Sequence, residues 1–280
     1  MLNDVQAHQR RVGRLARLAR LVGTPWVAAV LSGCALLPRP ATVPMRIVLE
    51  PASCATRPDT LLVVLPGAYS VPEEFVREGF VAAVRERHLA LDVWLADAHL
   101  GYYRNRTILE RLLADVVAPA RAQGYRHIWL LGISLGAFGA LGLAQSPGVD
   151  VAGIVVLGPY LGEPRVTEAV AAEGGLRQWD APDATADLSS DPDFAIWRWL
   201  KGYAQSPSQR PPLLLGYGLD DRLARNAALL GAALPPDHVL TLPGGHDWPA
   251  WTPLWRQALA RAALPVEGSC QTRSSVSSTR

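Results

Sequence analysis

The chain has 280 residues, of which 49% are hydrophobic and 19% charged, with 27 basic and 25 acidic side chains. This length favours one large domain over two. Five arginines and one aspartate lie in the first 33 residues, so the remainder counts 22 basic against 24 acidic residues. A net charge of −2 without a basic cluster argues against nucleic acid as a partner.

The N-terminal residues have the pattern of an export signal. Five arginines between positions 10 and 20 precede a short apolar stretch at 21–31, which is too short for a transmembrane helix. Leu31-Ser32-Gly33-Cys34 resembles a bacterial lipobox. The resemblance implies a signal peptide at 1–33, a lipidated Cys34, a linker at 34–44 and, from Ala35, an outer-membrane lipoprotein facing the periplasm. An ordinary secretory signal, which would give a soluble periplasmic or secreted protein, stays open.

The segment around Ser134 carries the strongest local signal. The apolar run His127–Leu131 predicts a buried parallel strand, and the stretch from Leu135 to Ala144 predicts a helix. Between them, Gly132-Ile133-Ser134-Leu135-Gly136 matches the G-x-S-x-G turn, in which bulk at the flanking positions would clash. We therefore predict that Ser134 is a nucleophile, with the Leu135 N–H directed at the reacting oxygen.

A serine hydroxyl needs a base and an acid that orients the base. The run from Pro211 to Tyr217 predicts another strand, and two adjacent carboxylates follow it, Asp220 and Asp221. The Gly-x-x-Asp spacing from Gly218 favours Asp221 as the acid, with Asp220 as the alternative. Either could instead cap the next helix.

Among six histidines, His246 fits the base best. It follows the predicted strand His238–Leu242 in a loop with two glycines, so it should emerge at the same sheet edge as Ser134. The other five, at positions 8, 88, 99, 127 and 238, lie at element boundaries or in the signal. No histidine has metal-ligand spacing to the three cysteines, so no metal site is predicted.

Two further segments are distinctive. Residues 159–210 interrupt the alternation of strands and helices with tryptophans, prolines and one predicted helix at Phe194–Leu200, which indicates a small cap insertion. Residues 265–280 are rich in serine and threonine and are predicted to be a disordered tail. If Cys34 is lipidated, Cys54 and Cys270 remain as a pair that could form a disulfide or stay as two free thiols.

Four motifs make residues 45–264 resemble the α/β-hydrolase superfamily: Leu-Pro-Gly-Ala-Tyr-Ser, Gly-Ile-Ser-Leu-Gly, Gly-Leu-Asp-Asp-Arg and Gly-Gly-His-Asp-Trp-Pro-Ala-Trp. The last resembles the histidine loop of the esterase-D-like group, which includes feruloyl and acetylxylan esterases, enterochelin esterases and mycolyltransferases. The resemblance implies an α/β fold with a mostly parallel central sheet flanked by helices. It also implies a catalytic triad of Ser134, Asp221 and His246.

The resemblance further implies an oxyanion hole formed by the backbone N–H groups of Ala68 and Leu135, with Tyr69 as the alternative to Ala68. The chain departs from many such esterases in having Pro66-Gly67 where a His-Gly pair is usual, which bears on the Ala68 assignment.

The expected function is a serine carboxylesterase without a cofactor, acting on small or soluble esters through an acyl-enzyme. An acyltransferase using the same triad, and a non-catalytic envelope lipoprotein using the fold as a binding scaffold, are the alternatives.

Overall fold

The computed structural model describes residues 39–181, 187–264 and Cys270. The predicted signal peptide and Cys34 lie outside the described residues, as does the predicted tail apart from Cys270.

Seven strands in the described residues form one sheet. In chain order they are β1 (Ile47–Glu50), β2 (Thr60–Leu65), β3 (Leu91–Ala96), β4 (His127–Ile133), β5 (Gly153–Leu157), β6 (Leu213–Gly218) and β7 (Val239–Leu242). Their spatial order is β1-β3-β2-β4-β5-β6-β7, and only the β1–β3 pair is antiparallel. This arrangement confirms the predicted fold class, a mostly parallel sheet flanked by helices.

The helices of the described residues are α1 (Pro72–Arg77), α2 (Phe80–Glu86), α3 (Leu100–Arg104), α4 (Ile108–Arg111), α5 (Ala118–Ala122), α6 (Leu135–Gln145), α7 (Pro164–Ala172), α8 (Pro192–Gln205), α9 (Ala224–Gly231) and α10 (Trp248–Arg261). A π-helical segment, Leu112–Val117, joins α4 to α5, and short 3₁₀ turns lie at Pro207–Gln209 and Pro236–His238.

Strand β2 shows why the sheet is buried on both faces. All six of its residues are buried. Successive side chains of a strand point to opposite faces. Leu61, Val63 and Leu65 accordingly join one hydrophobic cluster, while Leu62 and Val64 join the other. Continuous apolar runs of this kind are typical of parallel strands covered by helices on both sides.

Each face of the sheet is covered by its own set of helices. Helices α1, α2 and α10 contribute side chains to the cluster that holds Leu62, and Phe80 stacks on Trp255 there with ring centroids 5.9 Å apart. Helices α6, α8 and α9 contribute to the cluster that holds Leu61. The large apolar area removed from water on both faces is the main stabilising contribution to this fold.

The strand order fixes where a site can form. The chain leaves β2 toward β3 on one side and leaves β4 toward β5 on the other. Loops that diverge in this way open a crevice at the carboxyl ends of the two strands. The loop after β2 begins at Pro66 and the turn after β4 contains Ser134, so both predicted segments lie at this crevice.

The segment 159–210 contains α7 and α8, and the predicted helix at Phe194–Leu200 lies within α8. Trp179 and Trp197 are fully buried. The Trp197 indole N–H donates a hydrogen bond to the Leu161 carbonyl at 2.6 Å, which ties α8 to the chain that leaves β5. These two tryptophans therefore serve packing.

Cys54 and Cys270 form a disulfide. The Cys270 N–H also donates to the His88 carbonyl at 2.8 Å, just before β3. Both contacts lie at the amino-terminal edge of the sheet, opposite the crevice. Among the described residues, no helix has the length and apolar character needed to cross a membrane.

Candidate active site

Ser134 occupies a sharp turn between β4 and α6. Its φ of 53° and ψ of −117° lie in a backbone region that residues other than glycine rarely adopt. A Cβ added at Gly132 would lie 2.5 Å from the Gly136 carbonyl oxygen, and one at Gly136 would collide with the Leu65 carbonyl. Glycine at these two positions is what allows the turn, for the steric reason expected from the sequence.

The three predicted triad side chains lie together and form a continuous hydrogen-bonded chain. The Ser134 Oγ is 2.9 Å from Nε2 of His246, and the His246 Nδ1 is 2.7 Å from Oδ2 of Asp221. The Asp221 side chain is inaccessible to solvent, whereas the His246 side chain is 15% exposed. Ser134 and His246 are 112 residues apart in sequence, so only the fold brings them together.

The two oxygens of Asp221 have different partners. Oδ2 contacts His246, and Oδ1 accepts a hydrogen bond from the Leu223 N–H at 2.8 Å. Burial acts to raise the pKa of Asp221, but the hydrogen bonds from His246 and Leu223 outweigh it, so this pKa lies below its usual value. The same carboxylate thus stays ionised and is fixed in orientation by the turn before α9.

The Asp220 side chain contacts Gly244 instead of His246. It is exposed, and its Oδ2 accepts a hydrogen bond from the Gly244 N–H at 3.2 Å. Its own N–H donates to the Gly244 carbonyl at 2.9 Å. Of the two adjacent carboxylates, Asp221 contacts His246 and Asp220 joins the loop after β6 to the loop that carries His246.

The loop after β2 lies beside Ser134. A Cβ added at Gly67 would be 3.6 Å from the Ser134 Cβ. The Leu100 N–H donates to the Ala68 carbonyl at 3.2 Å and so fixes the peptide that follows Ala68. Within the part of the chain that the structure describes, the N–H groups of Ala68 and Leu135 have no hydrogen-bond acceptor. Tyr69 is 74% exposed.

The remaining described histidines occupy other segments of the fold. His99 is buried and caps α3, where its Nδ1 accepts from the Gly101 N–H at 3.1 Å. His88 follows α2, His127 begins β4, and His238 ends a 3₁₀ turn before β7. Over 39–181, 187–264 and Cys270, no cluster of three or more histidine, cysteine, aspartate or glutamate side chains could hold a metal ion.

No protein-family model and no curated protein matches the chain in sequence. Solved structures do resemble it. Est1E from Butyrivibrio proteoclasticus has a TM-score of 0.52 and 15% identity over 77% of this chain and 93% of its own. A monoacylglycerol lipase from Paleococcus ferrophilus has a TM-score of 0.50 and 15% identity over 78% and 99%. An S-formylglutathione hydrolase from Agrobacterium tumefaciens has a TM-score of 0.50 and 13% identity over 77% and 88%.

The chain has the α/β-hydrolase fold. At these identities the likeness establishes the fold alone. In this α/β-hydrolase fold the loops after β2, β4, β6 and β7 all begin at the carboxyl edge of the sheet, where the contacts described above occur.

Two residues at the site were not predicted from the sequence. Trp251, on α10, packs its ring perpendicular to His246 with centroids 5.0 Å apart. Gly158, just after β5, has a φ of +49°, and a Cβ there would lie 2.9 Å from Oδ2 of Asp221 and 2.8 Å from Nε1 of Trp251. The second tryptophan of Gly-Gly-His-Asp-Trp-Pro-Ala-Trp was the available signal for Trp251, whereas a glycine after a strand gives no specific signal.

Proposed function

We propose that the protein is a serine carboxylesterase that hydrolyses small or soluble carboxylic esters through an acyl-enzyme. The observation that carries this proposal is the unbroken contact chain from Asp221 through His246 to the Ser134 Oγ. A serine in a strained turn, hydrogen-bonded to an imidazole that is itself held by a buried carboxylate, is the arrangement that activates a hydroxyl for attack.

In the proposed reaction the Ser134 Oγ attacks the ester carbonyl carbon and its proton passes to Nε2 of His246. The N–H groups of Ala68 and Leu135, which have no other acceptor among the described residues, stabilise the oxyanion. The tetrahedral intermediate then expels the alcohol, which takes the proton from His246. Water attacks the acyl-enzyme with His246 as base, releasing the acid and restoring Ser134. Asp221 holds the imidazole in the required orientation throughout.

The first experiment is labelling of the purified protein, lacking residues 1–33 and with Cys34 replaced, by a fluorophosphonate probe beside the Ser134→Ala variant. We expect labelling of the parent protein and none of the variant. A folded parent protein that is not labelled would contradict the esterase proposal and favour a binding scaffold.

Product analysis separates hydrolysis from acyl transfer on the same residues. The protein is incubated with a p-nitrophenyl ester and increasing concentrations of a soluble alcohol such as glycerol. A carboxylesterase gives mostly the free acid. Acylated glycerol as the main product at low glycerol concentration would identify an acyltransferase.

We also propose that Cys34 carries lipid and anchors the protein to the outer membrane, facing the periplasm. The Leu31-Ser32-Gly33-Cys34 sequence supports this proposal, and so does the Cys54–Cys270 disulfide, because disulfides persist in oxidising compartments. In a bacterial host, labelled palmitate should be incorporated into the full chain and not into the Cys34→Ser variant. Recovery of unlabelled full chain in the soluble periplasmic or secreted fraction would contradict lipidation.

A further inference from the structure

A cleft of about 810 Å³ begins next to Ser134 and runs along one side of α6. Leu135, which follows Ser134, lines its near end. Tyr160 also lines it, and the Tyr160 N–H donates to the Ser134 carbonyl at 3.0 Å. One end of the cleft therefore lies at the residue that follows Ser134.

The wall on the α6 side follows a single helix face. Phe138, Gly139 and Gly142 follow Leu135 by three, four and seven residues, so all four lie on one face of the helix. The two glycines have no side chains of their own, and the Tyr103 hydroxyl packs against Gly139 as Leu109 does against Gly142. From Leu135 to Gly142 the helix rises by about 10 Å, which matches an extended chain of about eight carbon atoms.

Part of the opposite wall is aliphatic. Ile108 and Leu109 on α4 and Ile196 on α8 face α6 across the cleft. At the far end a Cβ added at Gly142 would lie 3.2 Å from Cδ2 of Leu109, so Leu109 packs against Gly142 and closes this end of the cleft.

The charged residues of the lining favour an uncharged occupant. Two arginines and two carboxylates line the cleft: Arg104, Arg106, Glu163 and Asp193. The signs balance. Oδ2 of Asp193 already accepts a hydrogen bond from the Glu163 N–H at 2.9 Å. The apolar walls therefore dominate recognition.

We propose that this cleft binds the acyl group of the substrate and selects an uncharged, unbranched chain of about six to ten carbon atoms, the length set by the helix rise. This inference rests on the proposed esterase function. With the carbonyl oxygen at the N–H groups of Ala68 and Leu135, the acyl chain leaves the reacting carbon beside Leu135 and extends along α6 toward Gly142. Each methylene that it buries raises kcat/KM by about fourfold.

The test measures kcat/KM for p-nitrophenyl acetate, butyrate, octanoate and laurate below their aggregation limits. We expect kcat/KM to rise from acetate to octanoate by about a hundredfold or more and to level off by laurate. A p-nitrophenyl ester of a charged acyl group of similar length should be a poorer substrate than octanoate. Preference for the acetyl ester or for a charged ester would overturn the inference.

Variants at the far end of the cleft test its position. In Gly142→Leu the new side chain displaces Leu109 into the far end of the cleft, so the octanoate-to-acetate ratio of kcat/KM should fall by about tenfold or more. Gly142→Ala adds only a methyl group, 3.2 Å from Cδ2 of Leu109, so a smaller fall in the same direction is expected. Leu109→Ala enlarges the far end and should shift the preference toward laurate.

Fluorophosphonate labelling of every variant distinguishes the two possible failures. If the parent protein is not labelled, the proposed esterase function fails. If Gly142→Leu is labelled as rapidly as the parent protein and keeps its octanoate-to-acetate ratio, the esterase function stands and the cleft assignment is wrong.

Discussion

Asp220 and Gly244 are joined by two hydrogen bonds, one from the Asp220 N–H to the Gly244 carbonyl at 2.9 Å and one from the Gly244 N–H to the Asp220 carboxylate at 3.2 Å. Gly244 lies two residues before His246. The contact therefore holds the histidine loop against the loop that presents Asp221. Asp220 is a positioning residue in this arrangement, and Asp221 is the residue that touches the imidazole.

This division of roles predicts unequal effects of the two isosteric amide substitutions. Asp221→Asn should lower kcat/KM by about three to four orders of magnitude, because an amide cannot support the imidazolium that forms during attack. Asp220→Asn keeps an oxygen that can accept from Gly244 and should lower kcat/KM by only about threefold, the effect of less than one hydrogen bond. Steady-state kinetics on a p-nitrophenyl ester measure both, and a larger loss in Asp220→Asn would contradict the assignment.

The pKa of Asp221 gives a prediction for acid stability. Hydrogen bonds from His246 and Leu223 hold it below its usual 3.8 despite burial. A lowered folded-state pKa stabilises the native protein above the unfolded pKa, and this stabilisation is lost as the pH falls through the folded value. The difference in unfolding free energy between the parent protein and Asp221→Asn should therefore be constant above about pH 5 and shrink below about pH 3.8. Urea unfolding across this range measures it. A difference that grows as the pH falls would show that burial dominates and that the pKa of Asp221 is raised.

The sequence predicted which segments meet at the site, but several contacts depended on tertiary structure. Ser134 is recognisable because the turn requires glycine two residues before and two residues after the serine. This pattern can be read from five consecutive residues. The choice between Asp220 and Asp221 depends on a shift of one residue in a loop, and that register is set by Gly244, which lies 24 residues from Asp220 in sequence. A local sequence pattern cannot indicate such a contact.

The three strands predicted from apolar runs, which became β4, β6 and β7, were located closely for a related reason. Continuous apolar runs such as that of β4 allow few structures other than a strand buried on both faces. The ends differ by one or two residues, and His238 lies in a 3₁₀ turn where the apolar pattern predicted the first residue of the last strand. The space along α6 was not predictable, because it depends on which helices face Gly139 and Gly142 across the cleft.

We predict that the disulfide between Cys54 and Cys270 stabilises the folded protein and has no effect on catalysis. Cys54 and Cys270 are 216 residues apart, so their bond restricts most of the unfolded domain. Replacing both cysteines by serine should lower the free energy of unfolding by about 2–5 kcal/mol. The kcat/KM at 25 °C should not change, because the bond lies at the sheet edge opposite Ser134. As controls, Cys54→Ser and Cys270→Ser should each lose as much stability as the double variant. A single variant as stable as the parent protein would show that the bond does not form in solution.

Gly158 provides the sharpest test of how tightly the site is packed. In Gly158→Ala the new Cβ would lie within 3 Å of the Asp221 carboxylate and of the Trp251 indole, at a φ of +49°. We expect a loss of about 1–3 kcal/mol in unfolding free energy from the strain. We also expect about a 10- to 100-fold lower kcat/KM, because small displacements of catalytic groups are costly.

Gly148→Ala is the matched control for this substitution. Gly148 also has a positive φ, +76°, but a Cβ there has no heavy atom within 4 Å among the described residues. This variant should lose about 1–2 kcal/mol of stability from backbone strain and keep its kcat/KM. Chemical denaturation and ester kinetics on both variants separate the two contributions. If Gly158→Ala loses stability as Gly148→Ala does and keeps full activity, the carboxylate tolerates displacement, and close packing around Asp221 is not required for catalysis.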